Sequence, residues 1–299
     1  MTGAIARERR LRRWLEASRG EDTTQSRRRR RVCAVLLCLG LGGTSPVWAA
    51  DLRSDTVAAF DRYVAVAERK LAAPGQPFLW VDRQSPAEQQ TMLESLKRGG
   101  LVMEKLTARD GTRTIDVPHG TIHHWLGVVF VPGVTLSSSV ALLQDYDRHH
   151  EIYQPNVADS HTLSRDGDHF RVRLRFFMKK IITVVVTSDH DAQFVHDGPD
   201  RVSSRIRSTR IAEIEDPGTP HERELPEGHD GGYLWRLNSY WRFLARDGGV
   251  YIQCESITLT RDIPTGFGWL VGPLVTSIPR ETLAFTLETT RRTLTTPPR

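Results

Sequence analysis

The segment "HFRVRLRFFMKK", His169 to Lys180, shows the cleanest alternation in the chain. Phe170, Val172, Leu174, Phe176 and Met178 fall on one side, and Arg171, Arg173 and Arg175 on the other. Successive strand side chains point to opposite faces, so the pattern fits a strand with one face on a core and one in water. That is the habit of antiparallel sheet. The arginine row therefore reads as a solvated outer face rather than a phosphate-binding surface.

More strand-like stretches follow at "IITVVVTS", "RVSSRIRSTRIAEI", "YLWRLNSYWRFLA" and "GVYIQCESITLT". The last two are joined by "RDGG", a tight-turn sequence, which sets Ala245 opposite Val250 whether the loop has two or four residues. Trp241 then faces Cys254, Phe243 faces Ile252, and Ser239 faces Ser256. This apolar face with small polar spots is predicted to be the interior. Arg236, Tyr240, Arg242, Gln253 and Glu255 occupy the other face, which is charged and reads as outward.

The chain ahead of the strands is helical. Val57, Phe60, Val64 and Leu71 recur at helical spacing, and "AAPGQP" then breaks the pattern. Ser85, Pro86 and Glu88 form a capping box with Pro at the first helical position, and Gly99-Gly100 closes that helix. Residues 50–100 thus form a helical lead-in. From Leu101 the period becomes two: "LVMEKLTARDGTRTIDV" predicts strand, Asp-Gly turn and strand, and "HHWLGVVFVPG" another strand. "VTLSSSVALLQDYDRHHEIY" carries Leu136, Val140, Leu143 and Tyr146 on one helical stripe. "EDPGTPHERELPEGHDGG", Glu215 to Gly232, reads as a mobile surface loop. A last helix is predicted to open near Pro279, with Leu283, Leu287 and Leu294 on one face.

The net charge of +5 invites a nucleic-acid partner until it is located. Residues 1–49 hold eleven arginines against Glu8, Glu16, Glu21 and Asp22, a leader charge of +7. Subtracting that from the whole leaves −2 on the remaining chain, so the body has no bulk charge for gripping phosphates. Nucleic acid is excluded as a partner on this ground. Within the leader, a cationic stretch precedes an apolar run from Val32 to Leu41 and the small-residue site Val47-Trp48-Ala49. That is the order of a secretory signal, and the run is shorter than the roughly 20 residues a membrane span needs. Cleavage near Ala49 and an exported, periplasmic or extracellular body are the expectation. Cys33 and Cys38 would leave with the leader, so Cys254 would stand alone and no internal disulfide would form.

"SYWRFLARDGGVYIQCESITLTRDIP" followed by "GWLVGPLVTSIPRETLAFTLETTRRTL" resembles the closing hairpin and helix of the START-like superfamily, also called SRPBCC or polyketide cyclase-like. "HHWLGVVFVPG" and "YQPNVADSHTLSRDGDHFRVRLRF" resemble earlier parts of the same group, and the likeness runs from about Leu101 to Leu294. It implies an α+β helix-grip fold over 101–296, a curved antiparallel sheet wrapped around a long C-terminal helix and enclosing a cavity. Gly266, Gly268 and Gly272 would let the backbone turn from the last strand onto that helix, and Trp269 and Leu270 would cap or line the hollow. The expected ligand-facing set is Phe170, Val172, Leu174, Phe176, Ser239, Trp241, Phe243, Ile252, Cys254, Ser256 and Trp269.

No catalyst is named by the residues. His123-His124 and His149-His150 are adjacent pairs, poor geometry for shared ligation, and no HExxH motif or Cys-His cluster is present. There is no GxSxG elbow, phosphate loop or dinucleotide fingerprint. The expectation is a binding module for a lipid or other hydrophobic small molecule in the extracytoplasmic space, with no cofactor and at most transient membrane contact. The alternative is a cyclase- or aromatase-like enzyme using Ser239, Ser256 and Arg210 in the same cavity. A ligand-free interaction domain is a third reading.

Overall fold

A computed structural model describes residues 50–179, 183–262 and 268–296, with the side chains of 268–276 left aside. The expected leader and Gly266 lie outside the described residues, as do the side chains of Trp269 and Leu270. After a short strand β1 (Ala50–Asp51) come helix α1 (Ser54–Leu71), a 3-10 turn (Trp80–Arg83) and α2 (Pro86–Lys97). The capping box is formed: the Ser85 amide and hydroxyl both donate to Glu88 Oε2, at 3.2 and 2.6 Å.

The strands are β2 (Leu101–Lys105), β3 (Arg109–Asp110), β4 (Arg113–Thr114), β5 (Gly120–Pro132), β6 (Val157–Asp166) and β7 (His169–Lys179). They continue with β8 (Thr183–Gly198), β9 (Arg201–Glu215), β10 (Arg223–Glu224), β11 (His229–Asp230), β12 (Arg236–Arg246) and β13 (Gly249–Arg261). Between β5 and β6 the predicted single helix is broken. It runs as α3 (Leu136–Gln144), a 3-10 turn (Tyr146–Arg148) and α4 (His149–Ile152), because Asp145 leaves the helical region at φ −81°, ψ 59°. The last helix, α5, covers Gly268–Thr295. It opens at Gly268 rather than near Pro279. The prolines at 273 and 279 each remove a backbone donor, which reads locally as a boundary, yet the helix carries both.

Among the described residues the main sheet has nine strands, in the order β2-β5-β13-β12-β9-β8-β7-β6 with β10 beside β9, and every pairing is antiparallel. Helix α5 lies against β5, β13 and β2 in the concavity of this sheet. This is the helix-grip α+β architecture. Gly127 makes the close approach possible, since a Cβ there would sit 2.4 Å from Leu287 Cδ1 and 2.8 Å from Met103 Sδ. The β12–β13 register pairs Ala245 with Val250, Phe243 with Ile252, Trp241 with Cys254 and Ser239 with Ser256, as the turn chemistry required.

One face assignment is corrected. The face carrying Tyr240, Arg242, Gln253 and Glu255 is covered by the lead-in and not by water. Phe60, Tyr63 and Val64 of α1 pack with Trp235, Tyr240, Ile257 and Leu259, and Leu79, Val81 and Leu96 pack with Leu126, Val128 and Tyr251. The sheet therefore separates two cores, one under α5 and one under α1 and α2. Its polar members are buried because each finds a partner. Trp80 N–H donates to Gln253 Oε1 at 2.7 Å, and Arg242 donates to the Leu71 carbonyl at 2.8 Å and to that of Phe78.

A chain of hydrogen bonds crosses the same interface. Ala108 N–H donates to the Tyr63 hydroxyl at 2.9 Å, Tyr63 lies 2.9 Å from His124 Nδ1, and His124 Nε2 lies 2.7 Å from Glu255 Oε1. The Glu255 carboxylate can only accept, so the imidazole donates to it from Nε2, and in the neutral ring Nδ1 then accepts from the phenol O–H.

The arginine row of β7 does face outward, with Arg171 and Arg173 exposed. Arg173 makes a two-pronged pair with Asp189 at 2.6 and 2.8 Å, which pulls the Asp189 carboxyl below its usual range. Arg175 holds Glu222 at 2.8 and 3.0 Å, pinning the Glu215–Gly232 segment to the sheet. That segment is further tied by β10 to β9 and by β11 to β1, so it is a laced strap over the sheet. Asp230, inside it, is buried and accepts from Gly232 N–H at 2.7 Å and from Trp235 Nε1–H at 3.0 Å.

Candidate functional site

Between the sheet and α5 lies a cavity of about 200 Å³. This is well above the 10–15 Å³ or so that one water requires, so there is room for an organic molecule. Its sheet wall includes Leu174, Phe176, Ile206, Leu237, Trp241 and Cys254, and α5 supplies Ile278, Pro279, Thr282, Leu283 and Thr286. The α3–α4 connection adds Leu143, Tyr146, His149 and Tyr153. The lining is overwhelmingly apolar, and no Asp, Glu, Lys or Arg lines it among the described residues.

The inward face is split between hollow and solid. Of the expected set, Leu174, Phe176, Ser239, Trp241, Cys254 and Ser256 line the cavity. Phe170, Val172, Phe243 and Ile252 also point inward, but they are fully buried in packed core and do not line the hollow. The reason is position along the strands. Phe243 and Ile252 pair next to the β12–β13 turn, and Val202 and Val129 continue that row. Phe170 is enclosed by Tyr146 and Phe194, whose ring centroids lie 5.4 and 5.7 Å away. The side chain of Trp269 lies outside the described residues.

Arg210 is corrected outright. A bulge between Asp189 and His190 shifts the β8–β9 register, so Arg210 pairs with Asp189 on the outer face and bonds Glu224 at 2.5 Å. It cannot serve a cavity on the other side of the sheet.

The polar groups of the cavity are uncharged. Burial raises the Cys254 thiol well above its usual value, with the nearby Glu255 adding to the effect, and pushes the Tyr153 phenol up to about 12. Tyr153 is held by Thr290 at 3.0 Å. Burial pushes His149 and His190 down to about 4, so both imidazoles are uncharged near neutral pH. His149 Nε2 lies 3.0 Å from the Leu143 carbonyl. A thiol held protonated is a poor nucleophile. Among the described residues no group of three His, Cys, Asp or Glu side chains could hold a metal.

Tyr146, His149, Tyr153, His190, Leu237 and Thr258 were missed by the expected set. For His190 the signal was present. In "TVVVTSDHDAQF" the residues 184, 186, 188, 190, 192 and 194 are Val, Val, Ser, His, Ala and Phe, which puts one Ser-His pair in an otherwise apolar row. A second concavity of about 560 Å³ lies on the back of the sheet, but it is open and lined by Glu68, Asp197, Arg201, Arg205 and Arg242. Such a groove is solvated and offers an apolar ligand little.

No protein-family model matches the chain, and no curated protein does. Several solved structures are similar to it. A STAR-related lipid transfer protein from Xanthomonas axonopodis aligns at 16% identity and TM-score 0.40, covering 63% of this chain and 98% of its own. The Zhui aromatase/cyclase from Streptomyces sp. R1128 aligns at 14% identity and TM-score 0.37, covering 58% and 94%. A START superfamily protein from Mycobacterium smegmatis aligns at 11% identity and TM-score 0.37, covering 59% and 97%.

Proposed function

We propose that this protein binds a hydrophobic small molecule or lipid in the cavity between its sheet and C-terminal helix. One observation carries the reading: an uncharged, mostly apolar hollow between the sheet and α5, beside a core of fully buried side chains. Cavities left empty forfeit packing contacts, and an apolar guest restores them. Cys254 lines that hollow and is otherwise buried, which makes it a reporter. A small neutral thiol reagent is expected to modify Cys254 slowly in the native protein and fast after unfolding, as read by mass spectrometry of its peptide. An apolar ligand should slow the native reaction further and change Trp fluorescence through Trp241. Labelling at the rate of a free peptide, or native labelling that no apolar compound affects, would remove the basis for a ligand cavity.

A cyclase- or aromatase-like reaction in the same hollow is the second reading, favoured by the small hydroxyls of Ser239 and Ser256 on the cavity wall. Turnover of a bound compound, against simple retention, separates the two.

The leader supports an extracytoplasmic setting for this binding, with any membrane contact transient. No helix among the described residues is long and apolar enough to cross a bilayer. The N-terminus of protein recovered outside the cytoplasm is expected at Ala50 or Asp51, and a full-length product held in the membrane would overturn export by cleavage.

A further inference from the structure

The cavity wall is apolar, yet three of its side chains hold buried polar atoms with no partner: Tyr146 Oη, His190 Nδ1 and Thr258 Oγ1. Native proteins rarely leave such atoms unmatched, and an unmatched atom against a cavity points to something that occupies it. The three residues are buried themselves, at 2, 3 and 7% exposure, so bulk water does not satisfy them.

The direction of the missing bond at His190 depends on where the single Ser188 hydroxyl proton rests. His190 Nε2 lies 2.8 Å from Ser188 Oγ, and Ser188 Oγ donates to the Leu174 carbonyl at 3.4 Å. A serine hydroxyl has one proton, so with that proton on Leu174 it accepts from Nε2–H. The neutral ring then carries a lone pair on Nδ1, which calls for a donor. Tyr146 supplies the complementary half, an O–H with nothing to donate to. A ligand hydroxyl, both donor and acceptor, meets either demand. A carboxylate or a phosphate would bring an unpaired charge into a wall that has none among its described residues.

Resting on the cavity reading, we propose that the ligand is a neutral apolar molecule bearing a hydroxyl, an alcohol or phenol, whose O–H donates to His190 Nδ1. Ser188 is a positioning residue that fixes the imidazole tautomer. Burial, which pushes His190 down to about 4, keeps the acceptor available at neutral pH.

Two isomers test this directly, 1-octanol and heptyl methyl ether, which have the same atoms and differ in the ability to donate. Binding to the full chain is followed by Trp fluorescence at neutral pH. The alcohol is expected to bind more tightly, on the order of 3- to 10-fold, the worth of one net hydrogen bond. In His190→Phe the preference for the alcohol over the ether should vanish. Equal affinities in the wild-type protein would overturn this assignment and leave the cavity standing, and that comparison decides even if the variant fails to fold. A preference that persists in His190→Phe would overturn the role of His190. Binding of neither isomer would overturn the cavity reading, and the hydroxyl assignment with it.

Discussion

A chain lacking residues 50–100 is expected to fail to form a stable native sheet, although 101–296 holds every strand of the main sheet and the C-terminal helix. The lead-in covers Leu126, Val128, Tyr251, Ile257 and Leu259, all essentially inaccessible in the intact protein. Exposing five such side chains costs on the order of 10 kcal/mol at about 1.5–3 kcal/mol each, comparable to the whole stability of an ordinary domain. The polar members of that face make matters worse. Without the lead-in, Gln253 loses the Trp80 amide, Arg242 loses the Leu71 and Phe78 carbonyls, and His124 loses Tyr63. Far- and near-ultraviolet circular dichroism with denaturant titration of both chains gives the answer. A truncated chain that unfolds cooperatively near the intact midpoint would show the lead-in to be dispensable, and with it the second core.

That second core was legible only in part. Tyr240, Arg242, Gln253 and Glu255 carry polar tips, and read one residue at a time they belong in water. The stronger signal was β5, where "WLGVVFVP" runs apolar on both faces instead of alternating. A strand of that kind is covered twice, and the amphipathic helix ahead of it was the available cover. The β12–β13 register could be read because a tight turn leaves only one phase, and a slip by one residue would have turned every apolar side chain outward. The division of the inward face into solid core and hollow could not. It depends on where α3, α4 and α5 come to rest, and those contacts join residues far apart in the chain, such as Gly127 with Leu287. Arg210 was misplaced for a related reason. A single bulge at Asp189/His190 reverses the phase of the pairing beyond it, and nothing in "RIRSTRIAEI" marks it.

Acidification from about pH 6.5 toward 4 is expected to lower the stability of the protein steeply. His123, His149 and His190 are each pushed down to about 4, in every case mainly by burial. Lys105 adds to the effect on His123, while Asp189 opposes it at His190 and the Leu143 carbonyl at His149. An unfolded imidazole takes up its proton near 6.5 and the folded ones resist until about 4. Between those values the unfolded chain binds more protons, so each unit of pH lost favours it. Above about 6.5 both states are neutral and the full stability is present; below about 4 these groups cost nothing further. A depression of this size corresponds to about 3 kcal/mol for one imidazole, so three approach the margin by which a domain stays folded. Glu213 and Asp230 act the other way. Glu213 is pushed up to about 7 by burial and then by Asp230, so it is protonated in the folded state first and gains stability as the pH falls through that range. Three buried imidazoles outweigh this carboxyl pair by number, since the shift at Glu213 is about the size of the shift at one imidazole. Denaturant midpoints measured every half unit of pH should therefore fall from neutrality toward 4. A level or rising midpoint would mean that water reaches these rings and protonates them in place, which their burial in the cavity wall and sheet core forbids.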